Sequence, residues 1–257
     1  MAAPLHFELD GERGAVVLLL HPIGLDGHLL EPFSSALDLD VRVLRVDLRG
    51  HGRSPGPPPS ALEGFADDLD ALLATEGLGP THVVGFSFGG MVAQVLALRH
   101  PRAVRSLALV ATASSFGPFV RAELRERARA AEEGGMEAVV QATLERWFSP
   151  EFVDSEGVAP CRRHLLALDP AVWAETWRLI ATLDAAPRLG EVAVPTLVLA
   201  GDLDASTPPW VAEVTARAIP NAELEIVPGG RHMTVIERPE LYAARVATFL
   251  GRVSGAG

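Results

Sequence analysis

Six short apolar runs alternate with stretches of helical spacing along this chain, and that alternation restricts the fold more than any other feature. "AVVLLLH" (15–21) opens the series, an unbroken run of the kind expected from a strand covered on both faces. The others are "VRVLRVDL" (41–48), "THVVGFS" (81–87), "RSLALVATA" (105–113), "PTLVLAGD" (195–202) and "AELEIVPGG" (222–230). Between them "HLLEPFSSAL", "ALEGFADDLDALLATEG", "FGGMVAQVLALRH" and "PPWVAEVTARAI" read as helices, with a last one near 239–250. Gly77 stands where the second should stop, and Pro101 just beyond the third. Strands alternating with helices across short loops predict an α/β fold, a mainly parallel sheet with helices on both faces.

The rhythm breaks once. From 114 to 190 the chain is mostly helical by its spacing, rich in Arg and Glu, and holds three of the four tryptophans. The expected organisation is therefore a core built from 1–113 and 191–257, with a helical cap, 114–190, inserted between two of its strands. The tail "VSGAG" is expected to fray.

Composition removes several chemistries. The net charge of −11 argues against a nucleic-acid partner and against docking on an anionic membrane. All 22 basic residues are arginine, which excludes a Schiff-base lysine, a lysine-anchored cofactor and a P-loop lysine. Cys161 is the only cysteine, so neither an intrachain disulfide nor a cysteine zinc site is available. The start, "MAAPLHFELDGERG", lacks the pattern of a signal peptide, and "AVVLLL" is too short to span a bilayer. A cytoplasmic location is the expectation.

Chemistry concentrates at the ends of the predicted strands. "GFSFG" (85–89) is a G-x-S-x-G pattern at a strand-to-helix turn, with Ser87 at its centre. That is where open α/β sheets place their sites, and where helix-start N–H groups can stabilise negative charge. A serine hydroxyl needs a base to take its proton, and the base needs an acid to fix its tautomer. Of the eight histidines, His232 lies just past the last predicted strand in "PGGRHM". His100 and His82 read as structural or solvated, His6 has nothing to make it a base, and His164 sits within the helical block. The turn after 195–202, "GDLDASTPP", offers two carboxylates: Asp202 ends the strand and is expected to shape the turn, so Asp204 is the chosen acid. Two N–H groups must face a developing oxyanion. Phe88 should supply one, and Ile23 in "HPIGLDG" the other, because Pro22 has none. His21 lies either at the pocket mouth or in the loop's own framework.

In these residues the chain resembles the α/β-hydrolase superfamily over nearly its whole length. The matching stretches are "VVLLLHPIG", "DLRGHGRS", "GFSFGGMVAQ", "LVLAGDLDASTPP" and "VPGGRHMTVIERPE". The resemblance implies a Ser87–Asp204–His232 triad with Ile23 and Phe88 as oxyanion donors, and assigns Asp47 and Arg49 to holding the loop after their strand. The helical block, above all "ERWFSPEF" with Trp147, is similar to the cap of 3-oxoadipate enol-lactonases. Trp147 then either lines the pocket or packs the cap's own core. A small lactone or ester substrate, an acyl-enzyme on Ser87, and no metal or organic cofactor are implied. A dicarboxylate-derived lactone would also call for a cap cation, for which Arg121, Arg125, Arg146, Arg162 and Arg163 are candidates. The loop "HPIGLDG" departs from the "SNSLG"-like loop of those lactonases. A C–C bond hydrolase or esterase for a bulkier aromatic or secondary-metabolite substrate uses the same triad, and a hydrolase-fold ligand sensor with little turnover is the reading from a different class.

Overall fold

A computed structural model describes residues 4–254. One seven-stranded sheet runs in the order β1 (Phe7–Asp10), β3 (Arg42–Val46), β2 (Val16–Leu20), β4 (Thr81–Phe86), β5 (Val104–Val110), β6 (Thr196–Gly201) and β7 (Ala222–Val227). Every pairing is parallel except β1 against β3. The central strands are sealed on both faces, and all five residues of β2 and all six of β4 are buried. That is the physical reason their sequences are unbroken apolar runs rather than alternating ones. Each such Val or Leu contributes about 1.5–3 kcal/mol by leaving water.

β1 is the strand the apolar pattern does not announce. Its sequence, FELD, is half charged, and it lies at the sheet edge with Glu8 opposite Arg45 of β3. Arg45 is only 6% exposed and forms ion pairs with Glu8 at 3.0 Å and Asp10 at 2.8 Å. Cross-strand charge therefore does here what apolar burial does elsewhere.

The helices follow their signals with one exception. Helix Leu62–Glu76 ends at Gly77, which takes the left-handed conformation at φ 64° and lets Leu78 N–H return to the Leu73 carbonyl at 2.9 Å. The stretch "HLLEPFSSAL" was expected as one helix. It forms instead a 3₁₀ turn, His28–Leu30, and a five-residue helix, Glu31–Ser35, because Pro32 has no N–H to carry a longer helix through. The last helix, Pro239–Ser254, includes Val253 and Ser254, where fraying was expected; the rest of that tail lies outside the described residues.

Between β5 and β6 the chain forms helices Pro118–Gly134, Glu137–Trp147, Pro150–Val153, Ala159–Ala167 and Pro170–Ile180. The first and last of these pack together, and on the last one Trp173 and Trp177 stand edge to face at 5.5 Å. The two strands of chain entering and leaving this segment lie side by side, bridged at Ser115 and Asp184. Arg121 joins them with hydrogen bonds to the carbonyls of Phe116, Ala181 and Leu183. Among the described residues no helix is long and apolar enough to cross a membrane.

Candidate active site

Ser87 follows β4 directly and precedes helix Phe88–Arg99. Its backbone sits at φ 51° and ψ −114°, a conformation L-residues rarely adopt. Neighbouring bonds enforce it: Ser87 N–H donates to the Val110 carbonyl at 2.9 Å, and the Thr112 hydroxyl donates to the Ser87 carbonyl at 2.7 Å. The turn also needs glycine for proximity. A Cβ on Gly89 would stand 2.2 Å from the Leu20 carbonyl oxygen, so only a bare Cα lets the helix start seat against the end of β2. The strain falls on the serine and the close approach on its glycines.

The other two side chains arrive through a second close approach. A Cβ on Gly201, at the end of β6, would lie 2.1 Å from the Gly230 carbonyl, in the turn after β7. Leu203 N–H donates to the Gly230 carbonyl at 2.9 Å, and the Asp202 carboxylate accepts Gly229 N–H at 2.7 Å. Asp202 thus ties the two turns together, and Asp204 and His232 face each other above it. His232 Nδ1 lies 2.9 Å from Asp204 Oδ2, and His232 Nε2 lies 2.9 Å from Ser87 Oγ.

Asp204 is heavily supported. Oδ1 accepts the N–H groups of Ser206 and Thr207 at 2.8 and 2.9 Å, and Oδ2 accepts the Thr207 hydroxyl at 2.8 Å. Burial alone would raise this carboxyl, but the charge and hydrogen bond of His232, with the Thr207 bonds, hold it below the usual carboxylate range. With Asp204 acceptor-only, the His232 proton belongs on Nδ1 and the lone pair on Nε2, facing Ser87.

These groups open into a cavity of about 370 Å³, bordered by Ile23, Met91, Trp147 and Ile180 and reached by Ser87 and His232. Trp147 lines it and lies 6.4 Å, ring to ring, from His232. Phe88 holds the first helical position after Ser87, so its N–H has no acceptor within the helix. Hydrogen bonds also link the helical segment to the histidine loop: Met233 N–H donates to the Trp147 carbonyl at 3.1 Å, and Ser149 N–H to the Glu237 carboxylate at 3.0 Å.

His21 is not on the cavity wall. It is fully buried, its Nε2 accepts Leu48 N–H at 2.9 Å, and its Nδ1 donates to the Pro22 carbonyl at 2.7 Å. Burial pushes its pKa down, so a neutral ring stitches the loop after β2 to the loop after β3. Asp47 works beside it, accepting N–H groups from Gly27 and Arg53, while Arg49 pairs with Asp68. His164 turns to Asp26 at 2.8 Å instead of the cavity. Burial raises the Cys161 thiol to about 12, leaving it protonated at neutral pH.

Residues 15–239 match the family described as the alpha/beta hydrolase fold. The chain belongs to the α/β hydrolase family. Polyketide synthase ThaQ of Burkholderia thailandensis is 32% identical over 94% of this chain, although the chain spans only 12% of ThaQ's length. The pimeloyl-[acyl-carrier protein] methyl ester esterase of Chromobacterium violaceum is 32% identical, over 93% of this chain and 95% of its own. The crystal structure of an enol-lactonase from Burkholderia xenovorans LB400 superposes with a TM-score of 0.88 at 31% identity, covering 96% of each chain. This α/β hydrolase is thus similar along its whole length to enzymes named for ester and lactone cleavage.

Proposed function

We propose that this α/β hydrolase is a serine hydrolase that cleaves small carboxylic esters or lactones through an acyl-enzyme on Ser87. The observation that carries the reading is the chain of contacts from Asp204 through His232 to Ser87 Oγ, ending in a cavity of about 370 Å³. That volume lies within the range of small-molecule sites.

In this reading His232 Nε2 takes the Ser87 proton as Oγ attacks the substrate carbonyl. The resulting oxyanion is held by the N–H groups of Ile23 and Phe88. His232, now doubly protonated and stabilised by Asp204, returns its proton to the leaving oxygen, and the alcohol or opened lactone arm departs. Water then enters, gives a proton to His232 Nε2 and attacks the acyl carbon. Collapse frees the acid and restores Ser87. The helical segment 114–190 acts as the cap over a core of 1–113 and 191–257, and supplies Trp147 to the cavity wall. The likeness to the enol-lactonase and the methyl ester esterase supports both substrate types, and 3-oxoadipate enol-lactone is the lactone to test.

The test is hydrolysis of p-nitrophenyl butyrate and 3-oxoadipate enol-lactone by wild type and Ser87→Ala. Replacing the nucleophile should lower kcat by at least about 10³-fold while the melting temperature stays within about 2 °C, because the Cβ and its backbone supports are kept. Comparable turnover by Ser87→Ala would refute the nucleophile assignment.

A further inference from the structure

The loop that brings Ile23 to the cavity is held from two directions. Its ends are tied to the loop after β3: His21 Nε2 accepts Leu48 N–H, and Gly27 N–H donates to Asp47 Oδ1 at 2.8 Å. Its middle is held by helices Ala159–Ala167 and Pro170–Ile180. A Cβ on Gly24 would stand 2.7 Å from a Leu165 methyl and 2.8 Å from the Trp173 ring. Two residues on, the buried Asp26 meets His164. Ile23 lies between these ties, lines the cavity, and donates its N–H to no described residue.

Both nitrogens of the His164 ring face oxygens that can only accept. Nδ1 lies 2.9 Å from the Pro160 carbonyl, and Nε2 lies 2.8 Å from Asp26 Oδ2. A neutral imidazole has one N–H, which would leave the other contact as lone pair against lone pair. The imidazolium donates to both. Asp26 is oriented in turn by Leu29 N–H, which donates to Oδ1 at 3.2 Å. The Asp26 bond raises His164 above its ordinary value, against burial and the repulsion of Arg163. The other groups around Asp26 stay outside the neutral range. Burial pushes His21 and His51 down, His51 to about 3, and lifts the Cys161 thiol to about 12.

We infer that His164 is a positioning residue for the reaction at Ser87: its imidazolium, by gripping Asp26, fixes the loop whose Ile23 N–H meets the oxyanion. The inference rests on the serine-hydrolase reading for the role of Ile23. When His164 loses its proton, one of its two contacts is lost and the grip slackens. The cost falls on the tetrahedral state, because a ground-state carbonyl gains little from the same donors. Activity is thus sensitive to a residue that touches neither substrate nor triad.

The test measures p-nitrophenyl butyrate hydrolysis between pH 6 and pH 9 by wild type, His164→Gln, Asp26→Asn and the double variant. The ratio of wild-type to variant kcat cancels every ionisation common to both. For His164→Gln it should be about 10 at pH 6, less than the 10²- to 10³-fold for deleting a donor, and should fall toward 1 by pH 9, with KM little changed. The double variant should lose no more than either single one, because the pair acts as a unit. The His164 side chain is 31% exposed, so its variant is expected to fold. A second arm needs no turnover: amide hydrogen exchange of the 21–27 loop should be faster in His164→Gln than in wild type at pH 6. A kcat ratio that does not change with pH, a loss confined to KM, or unchanged loop exchange overturns the proposal. If wild type does not hydrolyse the ester the serine-hydrolase reading fails, and the exchange arm still decides whether His164 holds the loop.

Discussion

Exchanging Asp204 for asparagine isolates what the carboxylate does for His232. The two side chains have nearly the same shape, so the outcome depends on hydrogen-bond polarity. Oδ1 of Asp204 accepts two backbone N–H groups, from Ser206 and Thr207, and these donors cannot be reversed. The amide oxygen of Asn must therefore take the Oδ1 place, since the opposite orientation would set an NH₂ against two N–H donors and cost about 1–3 kcal/mol per unmade bond. The NH₂ then stands where Oδ2 was, 2.9 Å from His232 Nδ1 and 2.8 Å from the Thr207 hydroxyl. Thr207 can turn its proton away. His232 can only accept at Nδ1, which moves its proton to Nε2, pointing at Ser87 Oγ. A ring in that tautomer cannot take the serine proton. The expected result is a fall in kcat of about 10⁴-fold, on the order of 5 kcal/mol in barrier, with KM and the melting temperature little changed. Asp202→Asn is the control, because Asp202 meets Gly229 and not the histidine. Hydrolysis of p-nitrophenyl butyrate at pH 7.5 is the assay. An Asp204→Asn enzyme within tenfold of wild type would refute the argument, as would an Asp202→Asn enzyme equally impaired with its fold intact.

Two further substitutions test the scaffold. Gly89→Ala puts a Cβ 2.2 Å from the Leu20 carbonyl oxygen, and strand backbone cannot yield cheaply. Thermal melting should show a loss of about 2 kcal/mol or more, roughly 4 °C or more for a chain of this size, and an unchanged melting temperature would contradict the close approach. The His164–Asp26 pair, joining helix Ala159–Ala167 to the loop after β2, makes stability depend on pH. The Asp26 hydrogen bond raises His164 above 6.5, so its contribution is full below that value and fades as pH rises through the raised one. Burial opposes ionisation of Asp26, but the bond and charge of His164 bring it below 3.8, so its contribution holds above 3.8 and is lost as pH falls through the lowered value. The melting difference between wild type and His164→Gln should therefore be larger at pH 6 than at pH 9. An equal difference at both would show that the pair is not charged in the fold.

The five interior strands were legible because burial on both faces leaves each a mostly apolar run, and the partly buried edge strand β7 still carries one. β1 was not, because an edge strand held by Glu8, Asp10 and Arg45 carries no such run. Ser87, Asp204 and His232 were legible for a related reason: strand ends are visible in sequence, and a parallel sheet gathers them on one side. His21 resembled a pocket residue because it also follows a strand, and only the tertiary contacts with Leu48 and Pro22 show that its ring is occupied. Arg127, half-buried with its guanidinium carbon 5.0 Å over the Trp177 ring, was not singled out by the sequence. Nothing local separates Arg127 from Arg121, Arg125 or Arg129. Which arginine of a charged helix turns inward depends on how that helix is rotated against Trp177, and sequence periodicity does not fix that rotation.

The bond from Met233 N–H to the Trp147 carbonyl bears on how a substrate can enter. Met233, next to the proposed general base, is fastened to the end of helix Glu137–Trp147, with Ser149 and Glu237 as a second fastening close by. A hinged lid swinging open at that corner would drag His232 away from Ser87, so each round of opening would break the contact the proposed mechanism needs. Trp210 and Val214 also border the cavity and are exposed, and neither shares a hydrogen bond with His232, so their side chains can shift without breaking its contacts. Substitutions at those two residues should change the rates of entry and exit while leaving proton transfer untouched.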